Sequence, residues 1–310
     1  MINPVHLQTL RAVIAADSFA DAARALGYTA SAVSQQMAAL ERRVRQPLFI
    51  REPQRIRPTP AAILIAERAG AALYELRSLH DDVARLEGGT LGTLRIGSFP
   101  TASERLLPRA LSSLRRTHPD LHVHLDEGEP DDLLGMLDAG ELDVVIAYRY
   151  ATVPTRWQRR HHVTPVLDEA LLLLTADPAP ADADGIEDLT TFADATWVTT
   201  RQGTAGAASL QRLCTDGDFE PDIAYRSNNY ATVHGLVAAC LGTAVIPALG
   251  HRPQPGITAI PVRAPKARRS VVAVRSPVVP EPLWNATHAA LRRAAHAVLA
   301  ESPGLSIPTR

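Results

Sequence analysis

The most constraining stretch of this chain runs from Ser18 to Glu41, two short amphipathic segments parted by Gly27. Phe19, Ala22, Ala23 and Leu26 recur at helical spacing and make one apolar face. Ser18 stands just ahead as a helix cap, with Asp21 as an acidic residue in the first turn. Gly27 falls where the first helix must stop, because glycine reaches the left-handed backbone conformation at little cost. Thr29 or Ser31 caps a second helix, in which Val33, Met37 and Leu40 turn inward. Ala30, Ser31, Ser34, Gln35 and Ala38 are left facing out. Such a face suits the major groove of DNA. Small side chains let a helix come close, and Ser and Gln exchange hydrogen bonds with base edges, Gln bidentately with adenine. A helical hairpin sealed inside a core would show the same period, so the flanking residues decide between the two.

Leu7, Leu10 and Val13 supply an earlier helix that completes a three-helix core. Beyond Glu41 come Arg42, Arg43 and Arg45. Then Pro47 to Arg51 and Arg55 to Pro60 read as extended chain, with Arg51, Arg55 and Arg57 placed to lie along phosphates as a wing. Residues 1–60 hold eight Arg against four Asp and Glu, a local charge of +4 in a chain whose net charge is −1. A basic patch confined to the segment with the groove-shaped helix is the electrostatic footprint of a nucleic-acid face.

Residues 7–60 resemble the winged helix-turn-helix of the LysR-type transcriptional regulators. The shared pattern is Leu7, Ser18-Phe19, Ala22-Ala23, Leu26, the run Ser31 to Gln36, Leu40-Glu41, Leu48-Phe49, Arg51 and Thr59. The sequence departs from the family pattern at Ala30, where Gln is frequent, and at Ser31, where Pro is frequent. Gln46-Pro47 replaces a glycine-containing turn, and Thr59-Pro60-Ala61-Ala62 lacks the glycine that usually ends the wing. The resemblance implies binding of double-stranded promoter DNA through Thr29, Ala30, Ser31, Ser34, Gln35 and Gln36, with Arg51, Arg55 and Arg57 on the backbone. It also implies a homodimer that doubles to a tetramer, contact with RNA polymerase, and control by a small organic effector with no other cofactor.

From Ala61 to Leu86 a second pattern takes over. Ile65, Ala69, Ala72, Leu76, Leu79, Val83 and Leu86 are spaced 4, 3, 4, 3, 4, 3, a heptad seam. Charged residues fill the intervening positions. Either the helix packs on its own domain or a second copy covers it. The narrow seam favours a second copy, and dimerisation would place two reading helices about one two-fold axis. Gly88-Gly89 ends the helix and begins a flexible joint.

After Leu91 the pattern alternates strand and helix, which predicts a parallel sheet with helices on both faces. The expected strands are 94–97, 121–125, 143–148, 170–175, 196–200, 222–226, 244–246 and 270–275. Helices fall between them, and an amphipathic helix over 283–300 closes the domain. Crossings near Pro165 and Pro265 divide the pattern into two lobes with a cleft between them, and Pro178 to Asp184 reads as an exposed loop. The arrangement is similar to the periplasmic-binding-protein-like effector domain (type 2) of the same family. The expected division is a DNA-binding head 1–60, a linker helix 61–89, an effector domain 90–302 and a tail 303–310. Lobe I comprises 90–163 and 267–302, lobe II 164–266. Ligands in such folds sit beyond the C-terminal ends of strands. That places Ser98, Phe99, Pro100, Thr101, Arg149, Thr200, Gln202, Asn228, Asn229 and Pro247 as effector-binding candidates. Residues 98–103 suggest an anion cradle at a helix start. Glu129 takes a place where the family often has Ser or Thr, and its carboxylate opposes an anionic ligand.

Other classes fare worse. The chain has no Gly-x-Ser-x-Gly elbow, no phosphate-binding Gly-x-x-x-x-Gly-Lys loop and no dinucleotide fingerprint. His118, His122, His124, His161 and His162 lack a third spaced ligand, so no metal site is expected. Cys214 and Cys240 read as small buried hydrophobes rather than a redox pair. No apolar run reaches membrane-spanning length and no signal segment opens the chain, so a cytoplasmic protein is expected. The expectation is therefore a regulator without catalysis. The alternative is a small-molecule-binding or enzymatic α/β domain carrying an accessory helical module.

Overall fold

The computed structural model describes residues 2–52, 55–86, 92–154, 161–176, 185–186, 188–264, 266–277 and 279–308. The expected Gly88-Gly89 joint, the Pro178 to Asp184 loop and Pro265 fall outside them.

The chain opens with three helices, α1 (Pro4–Ala16), α2 (Phe19–Leu26) and α3 (Ala30–Val44). Asn3 caps α1, Ser18 caps α2 through the Ala20 and Asp21 amides, and Thr29 caps α3 through the Ala32 amide. Their apolar stripes meet in one core: Leu10, Val13, Ala22, Val33, Leu40 and Leu48 are completely buried. Each of the larger side chains contributes about 1.5–3 kcal/mol by leaving water. A two-stranded antiparallel hairpin, β1 (Phe49–Glu52) and β2 (Arg55–Pro58), follows as the wing, with Ile50 opposite Arg57. Thr59 closes it by donating its hydroxyl to the Pro47 carbonyl.

The long helix α4 (Pro60–Leu86) is as expected in extent, but its seam is divided between two environments. Ala62, Ala69 and Leu73 are buried in the head core and Ile65 packs on its edge, so Ile65 and Ala69 do not belong to a free seam. The first turns of α4 lie against α1 and are already covered. Ala72, Leu76, Leu79 and Val83 remain exposed, and the side chain of Leu86 lies outside the described part.

The remaining chain builds two lobes on one curled ten-stranded sheet. Lobe I carries β3 (Thr93–Ser98), α5 (Pro100–Arg105), α6 (Leu107–Thr117), β4 (His122–Glu127), α7 (Pro130–Asp138) and β5 (Val144–Tyr150). A 14-residue strand, β6 (His162–Thr175), leads into the second lobe. That lobe has β7 (Thr196–Thr199), α8 (Ala205–Asp216), β8 (Asp222–Arg226), α9 (Tyr230–Ala238), β9 (Thr243–Pro247), a 3-10 turn at Ala248–Gly250 and β10 (Thr258–Pro261). The chain returns through β11 (Arg268–Arg275), α10 (Glu281–Leu299) and the short β12 (Leu305–Ser306). Of the two cysteines, Cys214 is buried as expected, whereas Cys240 is exposed just past the end of α9.

The strand order is β4-β3-β5-β11-β6-β9-β7-β8. The β3, β4, β5 set and the β7, β8, β9 set are parallel. The sheet as a whole is mixed, not parallel throughout, because β6 and β11 run antiparallel to their neighbours. Alternation in sequence fixes strand spacing but not direction, and these two crossing strands reverse it. Within β6, Ala170 still pairs with β11 while Leu171 pairs with β9. The strand therefore changes lobes there rather than at Pro165. Pro165 sits at a register shift in the β6–β11 ladder, where a residue without an N–H is tolerated.

Two backbone positions carry opposite expectations. Gly27 has φ 68° and open space where a Cβ would stand, so Gly27→Ala is expected to cost about 1 kcal/mol from conformation alone. Arg45 holds φ 56° at the end of α3 with a full side chain, and Arg45→Gly is expected to raise stability by about 0.5–1 kcal/mol. Calorimetric melting of the two variants in the full chain checks both signs.

Candidate functional site

On the head, the capped start of α3 is open. Thr29, Ala30, Ser31 and Gln35 are exposed and Ser34 is half-buried, while Val33 and Met37 on the opposite face are sealed. The hydroxyls of Thr29 and Ser31 lie 3.0 Å apart at the tip. Gln36 behaves differently. It is half-buried, and its amide oxygen accepts the Thr9 hydroxyl at 2.5 Å, which ties it to α1 instead of leaving it on the outer face. Arg57 is exposed on β2. Arg51 and Arg55 stand on β1 and β2, and their side chains lie outside the described part. Arg42 and Arg43 add exposed positive charge in the last turn of α3.

The second site lies between the lobes. Phe99, Thr101, Glu129, Tyr148, Tyr150, Thr200, Thr204, Asn228, Tyr230 and Arg269 line a narrow pocket of about 30 Å³. At its base Arg269 and Glu169 form an ion pair of 2.6 Å, their side chains 2% and 0% exposed. Arg269 also donates to the Thr101 hydroxyl at 2.9 Å. The second oxygen of Glu169 accepts the Leu249 amide. The guanidinium carbon lies 4.9 Å from the ring centre of Phe99 and 4.8 Å from that of Tyr148. Burial works against the charge on Arg269, but the Glu169 carboxylate together with Tyr150 and Tyr230 outweighs it and holds the guanidinium firmly protonated. Burial pushes the hydroxyls of Tyr148, Tyr150 and Tyr230 above the ordinary tyrosine range, so all three remain neutral donors. The pocket opens into a wider groove lined by Glu104, Glu127, Asn229, His234 and Arg252.

Glu129 spans the gap between lobes. Its carboxylate accepts the Tyr148 hydroxyl at 2.6 Å and the Asn228 amide at 3.1 Å. Asn228 in turn accepts the Arg201 backbone N–H at 2.9 Å. Glu129 precedes the first residue of α7 yet makes no capping bond to it.

Of the effector-binding candidates, Phe99, Pro100, Thr101, Glu129, Thr200 and Asn228 line the pocket and Asn229 lines the outer groove. Ser98 is buried beneath it, with its hydroxyl directed at the Phe99 carbonyl. Arg149 is exposed on β5 between two inward tyrosines, so pleating sends it to the other face of the sheet. Gln202 is exposed on the loop and Pro247 is buried in β9 away from the lining. The anion cradle expected at residues 98–103 is replaced by a base where Thr101 already serves Arg269. The sequence reading missed Tyr148, Tyr150, Tyr230 and Arg269. The available signal was a charged residue on the same strand face as Val271 and Ala273.

The linker and head touch lobe I at the far end of α7. Arg11 on α1 donates to the Ala139 carbonyl at 2.5 Å and lies 3.7 Å from Glu141. A Cβ on Gly70 would stand 2.4 Å from the Asp138 carbonyl oxygen, so α4 crosses α7 at close range. Tyr74 enters the core of lobe I, and burial with the adjacent Asp143 carboxylate pushes its hydroxyl above the ordinary range.

Comparison with known proteins decides the family. The family described as LysR substrate binding domain matches residues 87–296, and that described as bacterial regulatory helix-turn-helix protein, lysR family, matches residues 4–63. The chain belongs to the LysR family. This LysR-family protein is a DNA-binding transcriptional regulator with an effector-binding domain. It is 27% identical over 283 residues to the DNA-binding transcriptional dual regulator OxyR of Escherichia coli strain K12, spanning 90% of this chain and 91% of that one. Among solved structures, a cysteine variant of full-length OxyR from Pseudomonas aeruginosa superposes with a TM-score of 0.67 at 21% identity, covering 100% and 99% of the two chains. Full-length CbnR complexed with its target DNA gives 0.58 at 20% identity, over 94% and 99%. The two structures establish the likeness of fold.

The buried ion pair of this LysR-family chain yields a stability expectation. Glu169→Ala or Arg269→Ala alone strands a charge and is expected to cost about 3–5 kcal/mol. The double variant Glu169→Leu/Arg269→Met is expected to recover most of that loss. Thermal melting of the three variants against the parent chain checks the coupling.

Proposed function

We propose that Thr29, Ala30, Ser31, Ser34 and Gln35 face base edges in the major groove while Arg51, Arg55 and Arg57 hold phosphates. The regulator would occupy promoter DNA as a homodimer, paired through the exposed part of α4 at Ala72, Leu76, Leu79 and Val83, and as a pair of dimers on longer sites. The head is taken as 1–60, the linker as 61–89 and the effector domain as 90–302. Contact with RNA polymerase and residence in the cytoplasm belong to the same reading. No helix of the described residues is long and apolar enough to cross a membrane. The activity is switching rather than catalysis.

One observation carries the control mechanism: α7 has the inter-lobe pocket at one end and contacts with the head and linker at the other. This nine-residue helix is about 13 Å long. Ahead of its first turn, Glu129 bonds partners on both lobes. At its last turn, the Asp138 and Ala139 carbonyls meet Gly70 and Arg11. An effector that displaces Glu129 from Asn228 would shift α7 as a rigid rod and move the head. It can do so only through unequal affinity for the two arrangements.

Oxidation of Cys214 is a poor trigger here. Cys214 lies in the apolar core of the second lobe, and burial pushes its thiol up to about 12, far from the thiolate that oxidation requires.

For the DNA contacts, Ser34→Ala and Gln35→Ala are expected to lower the ratio of specific to bulk affinity by about tenfold each. Arg57→Ala is expected to weaken all sequences alike and to flatten the salt dependence by about one phosphate contact. Gln36→Ala, tied to Thr9, is expected to change sequence preference little. Sequencing of bound genomic fragments with salt titrations reads all four. Equal loss on every sequence for all four variants would reject this division of labour.

For the control path, Gly70→Ala is expected to push α4 off α7 and Arg11→Ala to release the Ala139 carbonyl. Both should bind effector normally while the effector-induced change in DNA affinity shrinks about fivefold or more. Paired calorimetric and DNA-binding titrations distinguish lost coupling from lost binding.

A further inference from the structure

The charges around the inter-lobe pocket do not balance, and the imbalance has a sign. Arg269 is matched by Glu169 at 2.6 Å. In the outer groove Arg252 is matched by Glu104. Glu129 has only neutral hydrogen-bond partners, the Tyr148 hydroxyl and the Asn228 amide, and Arg269, the cation that lines the pocket with it, is already paired with Glu169. Glu127, exposed at the rim, adds a second carboxylate in the same direction. Arg226 and Arg201 lie on the loop and strand beyond the lining, Arg226 donating to the Thr200 carbonyl.

The position of Glu129 has no local explanation. A carboxylate at a helix start ordinarily accepts an N–H of the first turn, and this one does not. Its oxygens instead point across the gap between lobes, into a partly closed space walled by Tyr148 and Tyr230. A carboxylate retains lone pairs after accepting two hydrogen bonds.

We propose that the effector is a small organic amine, protonated in the cleft, whose ammonium bonds Glu129. This rests on the reading of the cleft as the effector site and names its ligand class. An anion would meet Glu129 head-on and find Arg269 already neutralised. An ammonium supplies the missing charge and competes with Asn228 for the carboxylate that links the lobes. The inner cavity of about 30 Å³ takes only the ammonium end, and the adjoining groove of about 650 Å³ takes the skeleton.

The test titrates the full-length protein by calorimetry with skeleton-matched pairs: isobutylamine against isovalerate, and benzylamine against phenylacetate. At least one amine is expected to bind, and to bind about tenfold or more tightly than its carboxylate partner. Glu129→Gln is expected to lose about tenfold or more of that amine affinity, and Glu129→Lys to turn the preference toward the carboxylates. Tighter carboxylate binding, amine affinity unchanged in Glu129→Gln, or no amine binding up to about 10 mM overturns the assignment. Gly206→Leu, which fills the pocket beside Thr200, separates this failure from that of the cleft reading, with Thr200→Leu as the second variant should the first not fold. If the filled protein loses a wild-type preference for carboxylates, the cleft stands and the amine falls. If probe binding survives filling unchanged, the cleft reading falls with it.

Discussion

A guanidinium and a carboxylate removed from water where two lobes exchange strands carry a heavy desolvation cost, and the effector domain is arranged to keep them together. Arg269 enters from β11 and Glu169 from β6, the two strands that cross between lobes. Their remaining hydrogen bonds reach outward in both directions, to Thr101 in lobe I and to the Leu249 amide in lobe II. Phe99, Tyr148 and Tyr150 close over the guanidinium. A pair of this kind adds little net stability over an apolar replacement, but losing one member is costly. Its value lies in fixing where the lobes meet and in giving the pocket a polar base that needs no ligand to be satisfied.

The family and the element order were legible from Ser18, Gly27, the Ser31 to Gln36 run and the alternation after Leu91, because caps, breakers and periodicity act locally. The pocket was half legible. Strand ends named Phe99, Thr101, Thr200 and Asn228, since chain direction alone sends them toward the cleft. Tyr148, Tyr150 and Arg269 were not found there because they stand inside strands, on faces that only pairing and curl turn inward, while Tyr230 opens α9. Arg149 failed for the same cause in reverse: one step of pleat separates it from Tyr148 and Tyr150. Gln36 looked like a base reader by sequence position, and only the packing of α1 against α3 shows Thr9 beside it. The heptad seam was correct as a pattern and incomplete as an assignment, because periodicity says which face is apolar and not what covers it.

The linker helix belongs to two cores at once. Leu73 is buried with the head and Tyr74, the next residue, with lobe I. Successive helical positions point about 100° apart, so one helix can serve two partners on adjacent faces and leave the remaining face to a third. The exposed Leu76, Leu79 and Val83 occupy that remaining face. Head and effector lobe are thereby joined by packed side chains and by backbone approach at Gly70.

Strand β6 passes through both lobes without a break. Where a loop joins two lobes they can swing like loose flaps, with many orientations of equal energy. A continuous ladder permits torsion about the strand axis and resists it in either sense, since each degree of extra twist strains hydrogen bonds to β11 on one side and β9 on the other. The domain is in this respect a torsion spring. Any rotation of one lobe against the other works against the paired strands, which return the lobes to register once the load is gone.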